Sequence, residues 1–119
     1  MKHASAAAIC LIAICIAMPA AAQSYDCRKA GTPDELAVCA DPLLGELDVL
    51  QADFYRRLRH YTTNFDNAMG LQAQLRDEAR AFLRRRAVCG ADRACLKAVY
   101  RARIRELLKR WMTAMGGGE

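Results

Sequence analysis

Leu43, Leu44, Leu47, Leu50, Phe54, Leu58 and Tyr61 recur at steps of three and four, the spacing of one face of an α-helix. Asp41-Pro42 opens this run with a capping carboxylate followed by proline at the first helical position, where a missing N–H costs nothing. A helix is therefore predicted from Asp41-Pro42 to about Tyr61. Upstream, Thr32-Pro33-Asp34-Glu35 has the form of a capping box and predicts a short helix ending near Cys39. The stretch from Thr62 to Gly70 contains Asn64, Asp66, Asn67 and Gly70 without apolar periodicity, so it reads as a connection. The helical pattern resumes with Leu71, Leu75, Ala79, Phe82 and Leu83 and breaks at Cys89-Gly90. A last helix is predicted from about Asp92, carrying Leu96, Tyr100, Ile104, Leu107, Trp111 and Met115, until Gly116-Gly117-Gly118 stops it. No strand pattern or repeat is visible. The expected fold class is all-α, a small antiparallel bundle of three long helices plus one short N-terminal helix.

The chain before this pattern is different in kind. Lys2 and His3 precede an uncharged run from Ala4 to Ala22 that includes Ile9, Leu11, Ile12, Ile14, Ile16 and Met18. It ends in Pro19-Ala20-Ala21-Ala22, with small residues at both positions of an A-x-A cleavage site, and reads as a signal peptide over residues 1–22. The strongly apolar part, Ile9 to Met18, is about 10 residues, short of the roughly 20 a spanning helix needs. Cys10 and Cys15 each follow Ile, which fits a lipid-attachment site poorly. Residues 23–119 are then expected to form a single helical domain, located in the periplasm or secreted.

Of the 6 cysteines in the 119 residues, Cys27, Cys39, Cys89 and Cys95 lie in that domain. An even set in a small exported protein predicts two disulfides. Cys27 with Cys39 and Cys89 with Cys95 is the sequence-local pairing; crossed pairings, which would tie the ends of the domain together, remain compatible with the sequence. The Cys-x11-Cys and Cys-x5-Cys spacings lack the tight ligand pairs of a zinc site. No metal and no cofactor are expected.

Net charge is +5, but its distribution is what matters. Gln23 to Leu75 holds 5 basic and 8 acidic residues, a balance of −3, whereas Arg76 to Arg110 holds 12 basic and 4 acidic, a balance of +8. Arg93, Lys97, Arg101, Arg105 and Lys109 are spaced by four and form a basic stripe along the last helix. Arg76, Arg80 and Arg84 make a similar ladder on the preceding one. Such a face is solvated, paired across the bundle, or offered to an anionic surface. Nucleic acid is not an expected partner, because no recognition motif is present.

Catalytic chemistry is thin. The domain has one Ser, Ser24, and one His, His60, and its cysteines are expected to be oxidised. A nucleophile-base constellation is hard to assemble from these, and no phosphate-binding glycine loop or His/carboxylate metal spacing occurs. A non-enzymatic role is expected.

Cys27, Ala30, Thr32, Glu35, Val38 and Cys39, followed by Leu44, Leu47-Asp48 and Tyr55, resemble the opening of the LprI-type lysozyme inhibitor family. Phe82-Leu83, Arg86 and Cys89, then Cys95-Leu96, Tyr100, Arg103-Ile104 and Leu107, resemble its second half. Ala79 stands where the family commonly has Gln, Phe82 where it has Trp, and Ala87 where an acidic or amide residue is frequent. The resemblance implies an all-helical, disulfide-stapled fold and lysozyme inhibition. Asp48 at the edge of the apolar face is expected to pair with Arg86 or Arg103 and so orient two helices.

The leading expectation is therefore a periplasmic binding protein that blocks a lysozyme or related peptidoglycan-cleaving enzyme. Its partner-binding element would be the loop bearing Asn64, Phe65 and Asp66, with Phe65 as an apolar anchor and the acidic half as the docking side toward a basic enzyme. The alternative is a basic envelope protein that binds an anionic polymer or membrane surface weakly through the arginine stripe. A third possibility is a structural or immunity-type partner of another protein.

Overall fold

The computed structural model describes residues 24–116. The signal-peptide reading of residues 1–22 lies outside the described residues, as do Gly117 and Gly118. Four α-helices follow a 3-10 turn at Cys27–Lys29: α1 Pro33–Ala40, α2 Pro42–Tyr61, α3 Ala68–Cys89 and α4 Arg93–Ala114. The caps are those the sequence predicts. The Glu35 N–H donates to the Thr32 hydroxyl at 3.4 Å, and the Glu35 carboxylate accepts from the Thr32 N–H at 3.3 Å. Asp41 accepts from the Leu43 and Leu44 amides, and Asp92 from that of Cys95. α4 ends at Ala114, and Gly116 just beyond it takes a φ of 82°, in the left-handed region that favours glycine.

One boundary differs. The connection is shorter than Thr62 to Gly70, because α3 begins at Ala68, where the Leu71 N–H already bonds the Asn67 carbonyl at 3.1 Å. Its first turn carries Met69, 90% exposed, and the exposed Gly70. A turn with nothing to bury leaves no apolar period to read.

Consecutive long helices run antiparallel. Arg59 of α2 meets Gln72 of α3 at 2.9 Å, and Phe82 of α3 meets Tyr100 of α4 with ring centroids 5.2 Å apart. The most extensive packing, between α2 and α4, is parallel, as an up-down-up bundle requires. Asp41 lies by Arg93, Asp48 bonds Tyr100, and the Tyr61 ring meets that of Trp111 at 5.3 Å. Disulfides join Cys27 to Cys39 and Cys89 to Cys95, the sequence-local pairing. Both lie at the same end of the bundle. Loops of these sizes limit the unfolded chain by about 2 to 3 kcal/mol each.

Burial falls into two apolar clusters. Val38, Leu44, Phe82, Leu96 and Tyr100 fill the disulfide end; Leu58, Leu75 and Leu107, with Phe54, Leu71 and Trp111 against them, fill the other. Between them on α2 stand Asp48 and Gln51, and on α4 stands Arg103, all buried. The inward face of α2 is thus Leu44, Asp48, Gln51 and Leu58. The expected stripe is one flank of the helix, which leaves Leu43, Leu50 and Tyr61 39%, 43% and 45% exposed. On α4 the inward position is Arg103 rather than Ile104, which is half-buried, and Met115 is exposed.

Asp48 is fully enclosed and accepts from the Tyr100 hydroxyl at 2.9 Å, the Ser24 N–H at 2.7 Å and the Gln51 amide at 3.5 Å. Hydrogen bonds to a buried charge contribute about 1.5 to 3 kcal/mol each. Asp48→Asn replaces one acceptor oxygen by a donor, and Tyr100→Phe removes one donor. Each is expected to lower stability by about 2 kcal/mol, read as a fall in urea midpoint at constant slope. An unchanged midpoint for both variants would show that Asp48 orients nothing.

Candidate functional site

Two features stand out: a braced loop at the bundle tip and a buried polar layer between the two apolar clusters. Beside these, a set of polar contacts ties the N-terminal segment to the disulfide end. The Tyr25 hydroxyl donates to the Glu35 carbonyl at 2.8 Å, and the Arg86 Cζ lies 5.5 Å from the Tyr25 ring centre. Burial pushes the Tyr25 phenol up to about 12, with the Arg86 charge opposing the rise and those of Asp48, Glu35 and Asp34 adding to it. Arg86 reaches from α3 to α1 and donates through Nε to Asp34 at 2.7 Å, with both side chains buried. Burial opposes ionisation of Asp34, but hydrogen bonds from Thr32 and Arg86 and the guanidinium charge outweigh it, holding the carboxyl below its ordinary value.

The expected pairing of Asp48 with Arg86 or Arg103 is not formed. Arg86 is taken by Asp34, and Arg103 donates through Nη1 to Glu106 at 2.9 Å. Asp48 is served by neutral donors instead, and burial with its charge raises the Tyr100 phenol pKa. The Arg103 guanidinium is 1% exposed and lies 5.6 Å from the Tyr55 ring centre and 5.7 Å from that of Phe82. Such π contacts favour a desolvated cation. The other motif residues have plain packing roles: Leu47 and Tyr55 are half-buried against the two clusters, whereas Leu83 is 48% exposed.

At the opposite end from the disulfides, the α2–α3 connection is held by several hydrogen bonds. The Thr62 hydroxyl donates to the Leu58 carbonyl at 2.8 Å. The Gln72 amide donates to the Arg59 carbonyl at 2.8 Å and to the Thr62 hydroxyl at 2.9 Å, while its oxygen accepts from Arg59. The amides of Phe65 and Ala68 bond the carbonyls of Thr62 and Phe65. Asn64 and Asp66 are exposed at the tip, whereas Phe65 is half-buried with its ring edge-on to Tyr61 at 5.5 Å. It therefore braces the loop instead of projecting from it. A cavity of about 300 Å³ beneath the loop is lined by Phe65, Asn67, Leu71 and Arg110.

Arg93, Arg101, Arg105 and Lys109 are exposed and Lys97 is half-buried. Arg93 reaches Asp41 at 3.9 Å; among the described residues the other four have no carboxylate within ion-pair distance. On α3, Arg80 pairs with Asp77 and Arg85 with Glu106. Among the described residues, no group of three His, Cys, Asp or Glu side chains is arranged to hold a metal, and no helix is long and apolar enough to cross a membrane.

The sequence hid the special position of two groups. Asp34 reads as an ordinary acidic residue in a helix first turn, and Arg103 reads as one more cation in an arginine-rich helix. Ile104 fits the apolar period of α4 as well as Arg103 would, four residues after Tyr100 and three before Leu107, so the spacing gives no sign that Arg103 is the residue that turns inward.

The Asp34–Arg86 pair ties stability to pH. Since the folded Asp34 carboxyl titrates below its unfolded value near ~4, the unfolded chain binds the extra proton as pH falls. The contribution is therefore complete above the unfolded value and is lost as pH drops through the folded one. Asp34→Asn is expected to cost about 3 kcal/mol at neutral pH, as when one partner of a buried pair is removed, and to flatten the acid limb of a pH-stability profile measured by thermal melting. A wild-type acid limb in the variant would show that the pair does not govern acid unfolding. No family model, curated protein or solved structure matches the chain.

Proposed function

We propose that the protein is an exported, non-enzymatic binding protein of the lysozyme-inhibitor type, acting on a basic peptidoglycan-cleaving enzyme. The observation that supports this most directly is the pre-ordered loop at the free end of the bundle. Inhibiting a cleft enzyme requires a protrusion whose ordering cost is met before binding. Thr62, Gln72 and Arg59 lock the loop from below, Phe65 and Tyr61 brace it from the side, and Asn64 and Asp66 are presented outward. A lysozyme-type cleft contains two carboxylates at its reacting centre. Asn64 supplies an amide donor toward such carboxylates, while Asp66 suits the basic surface outside them. Met69, 90% exposed one helical turn away, offers an apolar contact beside the tip.

The LprI-type resemblance agrees with this reading through Thr32, Glu35 and the four cysteines, whose structural roles keep the N-terminal end rigid. Two disulfides fit folding in an oxidising compartment. The second reading, attachment to an anionic envelope polymer through α4, is favoured by one observation: Arg101, Arg105 and Lys109 stand exposed without carboxylate partners among the described residues. That face supplies nonspecific attraction, which salt screens.

Titrating the purified protein into a turbidity assay of lysozyme action at low and high ionic strength tests the proposal. Inhibition at micromolar protein is expected, and the double variant Asn64→Ala/Asp66→Ala is expected to weaken it about tenfold or more, a loss of about 1.4 kcal/mol. Absence of inhibition by the parent protein would overturn the proposal. An unchanged inhibition constant in the double variant would remove the loop from it. Salt-sensitive retention on anionic vesicles, with no inhibition, would favour the second reading.

A further inference from the structure

The apolar stripes of the three long helices are interrupted at one shared level. On α2 the position is Gln51 and on α4 it is Arg103, both buried. On α3 it is Ala79, which lies between Leu75 of one cluster and Phe82 of the other. The small side chain leaves space there. A cavity of about 250 Å³ opens at this level, lined by Gln51, Tyr55, Ala79, Phe82, Leu83 and Arg103 among others. No Asp or Glu among the described residues lines it.

Arg103 is incompletely satisfied. Nη1 donates to Glu106, but buried Nε and Nη2 meet no acceptor among the described residues. These two nitrogens form one edge of the guanidinium, the edge whose parallel N–H groups match the two oxygens of a carboxylate. Leaving charged donors buried and unpaired costs several kcal/mol. The rings of Tyr55 and Phe82 attract the cation but provide no lone pairs. The Asp48 carboxylate is engaged elsewhere, receiving bonds from Ser24, Tyr100 and Gln51.

We infer that the Nε–Nη2 edge of Arg103 and the cavity beside it form a binding site for a small monocarboxylate. Both nitrogens are closed off from the cavity as it stands, so binding shifts the side chains between them; the two oxygens then take the two free donors, and the group attached to them lies among Ala52, Ala79, Phe82 and Leu83. The Gln51 amide supplies the polar side of the site. A monoanion fits better than a phosphate dianion, because Glu106 already offsets part of the Arg103 charge. Arg56, the second cation at the cavity, is exposed and held by Asp53 at 2.9 Å. The carboxylate belongs either to a free short-chain acid or to the C-terminus of a peptide ending in a small residue.

The site is tested by following the Arg103 Nε–H resonance, assigned by its absence in Arg103→Lys, during titration with propionate, N-acetyl-alanine, propionamide and inorganic phosphate. Propionate or N-acetyl-alanine is expected to move it saturably and to raise the melting temperature, while propionamide and phosphate leave both unchanged. The tighter of the two carboxylates identifies the source as free acid or peptide terminus. Ala79→Gln places an amide carbonyl in the cavity as a built-in acceptor. It is expected to raise the melting temperature without added carboxylate and to weaken carboxylate binding about ten- to a hundredfold, the worth of a hydrogen bond to a charged group. Arg103→Lys, which keeps the charge but loses the planar edge, is expected to abolish the carboxylate-dependent rise in melting temperature. The proposal is overturned if neither carboxylate gives a saturable shift, if propionamide or phosphate matches them, or if Ala79→Gln responds as the parent does.

Discussion

The Asp48 carboxylate is the constraint around which the bundle is arranged. It is buried in α2 with no cationic partner among the described residues, and its oxygens gather the backbone of Ser24, the hydroxyl of Tyr100 from α4 and the amide of Gln51. Taking a carboxylate out of water is costly unless its lone pairs are filled. Neutral donors fill them only if α2 and α4 lie side by side, in parallel, with Tyr100 level with Asp48. A shift of one helical turn would leave the charge stranded. The apolar clusters on either side supply the drive to pack, and this bond sets the register in which they do so.

From this follows the division of the molecule. The disulfide end is the more heavily tied, with two Cys-Cys links, the Asp34–Arg86 pair and the Tyr25 strap around one cluster. The far end relies on Leu58, Leu75 and Leu107 and on the hydrogen bonds of the α2–α3 loop. Rigidity at both ends with a polar layer between them suits a scaffold that presents a fixed surface. The polar layer itself combines a fully satisfied anion, Asp48, with an incompletely satisfied cation, Arg103. That asymmetry distinguishes a group placed for folding from one with capacity left for a ligand.

The electrical polarity of the chain is partly absorbed by the fold. Arg86, Arg85 and Arg110 are drawn to Asp34, Glu106 and Glu78; the Arg85–Glu106 pair, open to solvent, contributes little, whereas the Arg86–Asp34 pair is buried. Arg101, Arg105 and Lys109 keep the outer face of α4 basic. The tip loop carries Asp66, so an approaching basic protein meets opposite fields at the two places. Orientation of a charged partner is set by such differences more than by total charge.

Local chemistry settled much of this in advance. The Thr32 capping box, the Asp41-Pro42 start and the glycine stop at Gly116 act over a few residues, so those helix limits could be read without knowing their neighbours, whereas the uncapped start of α3 could not. The all-α class was legible for the same reason, and so was the presence of two disulfides, whereas the choice between local and crossed pairings came from the structure. The inward face of each helix was not, because it depends on which neighbour covers it. Leu43 and Leu50 look like core residues by spacing, yet they stay partly exposed, while Asp48, Gln51 and Arg103 turn inward as polar groups. Periodicity locates an apolar stripe but says nothing about donors from another helix that make a buried charge tolerable. Whether Asp48 would meet an arginine or a tyrosine, and whether Arg103 would be solvated or enclosed, was decided only when three helices fixed their register against one another.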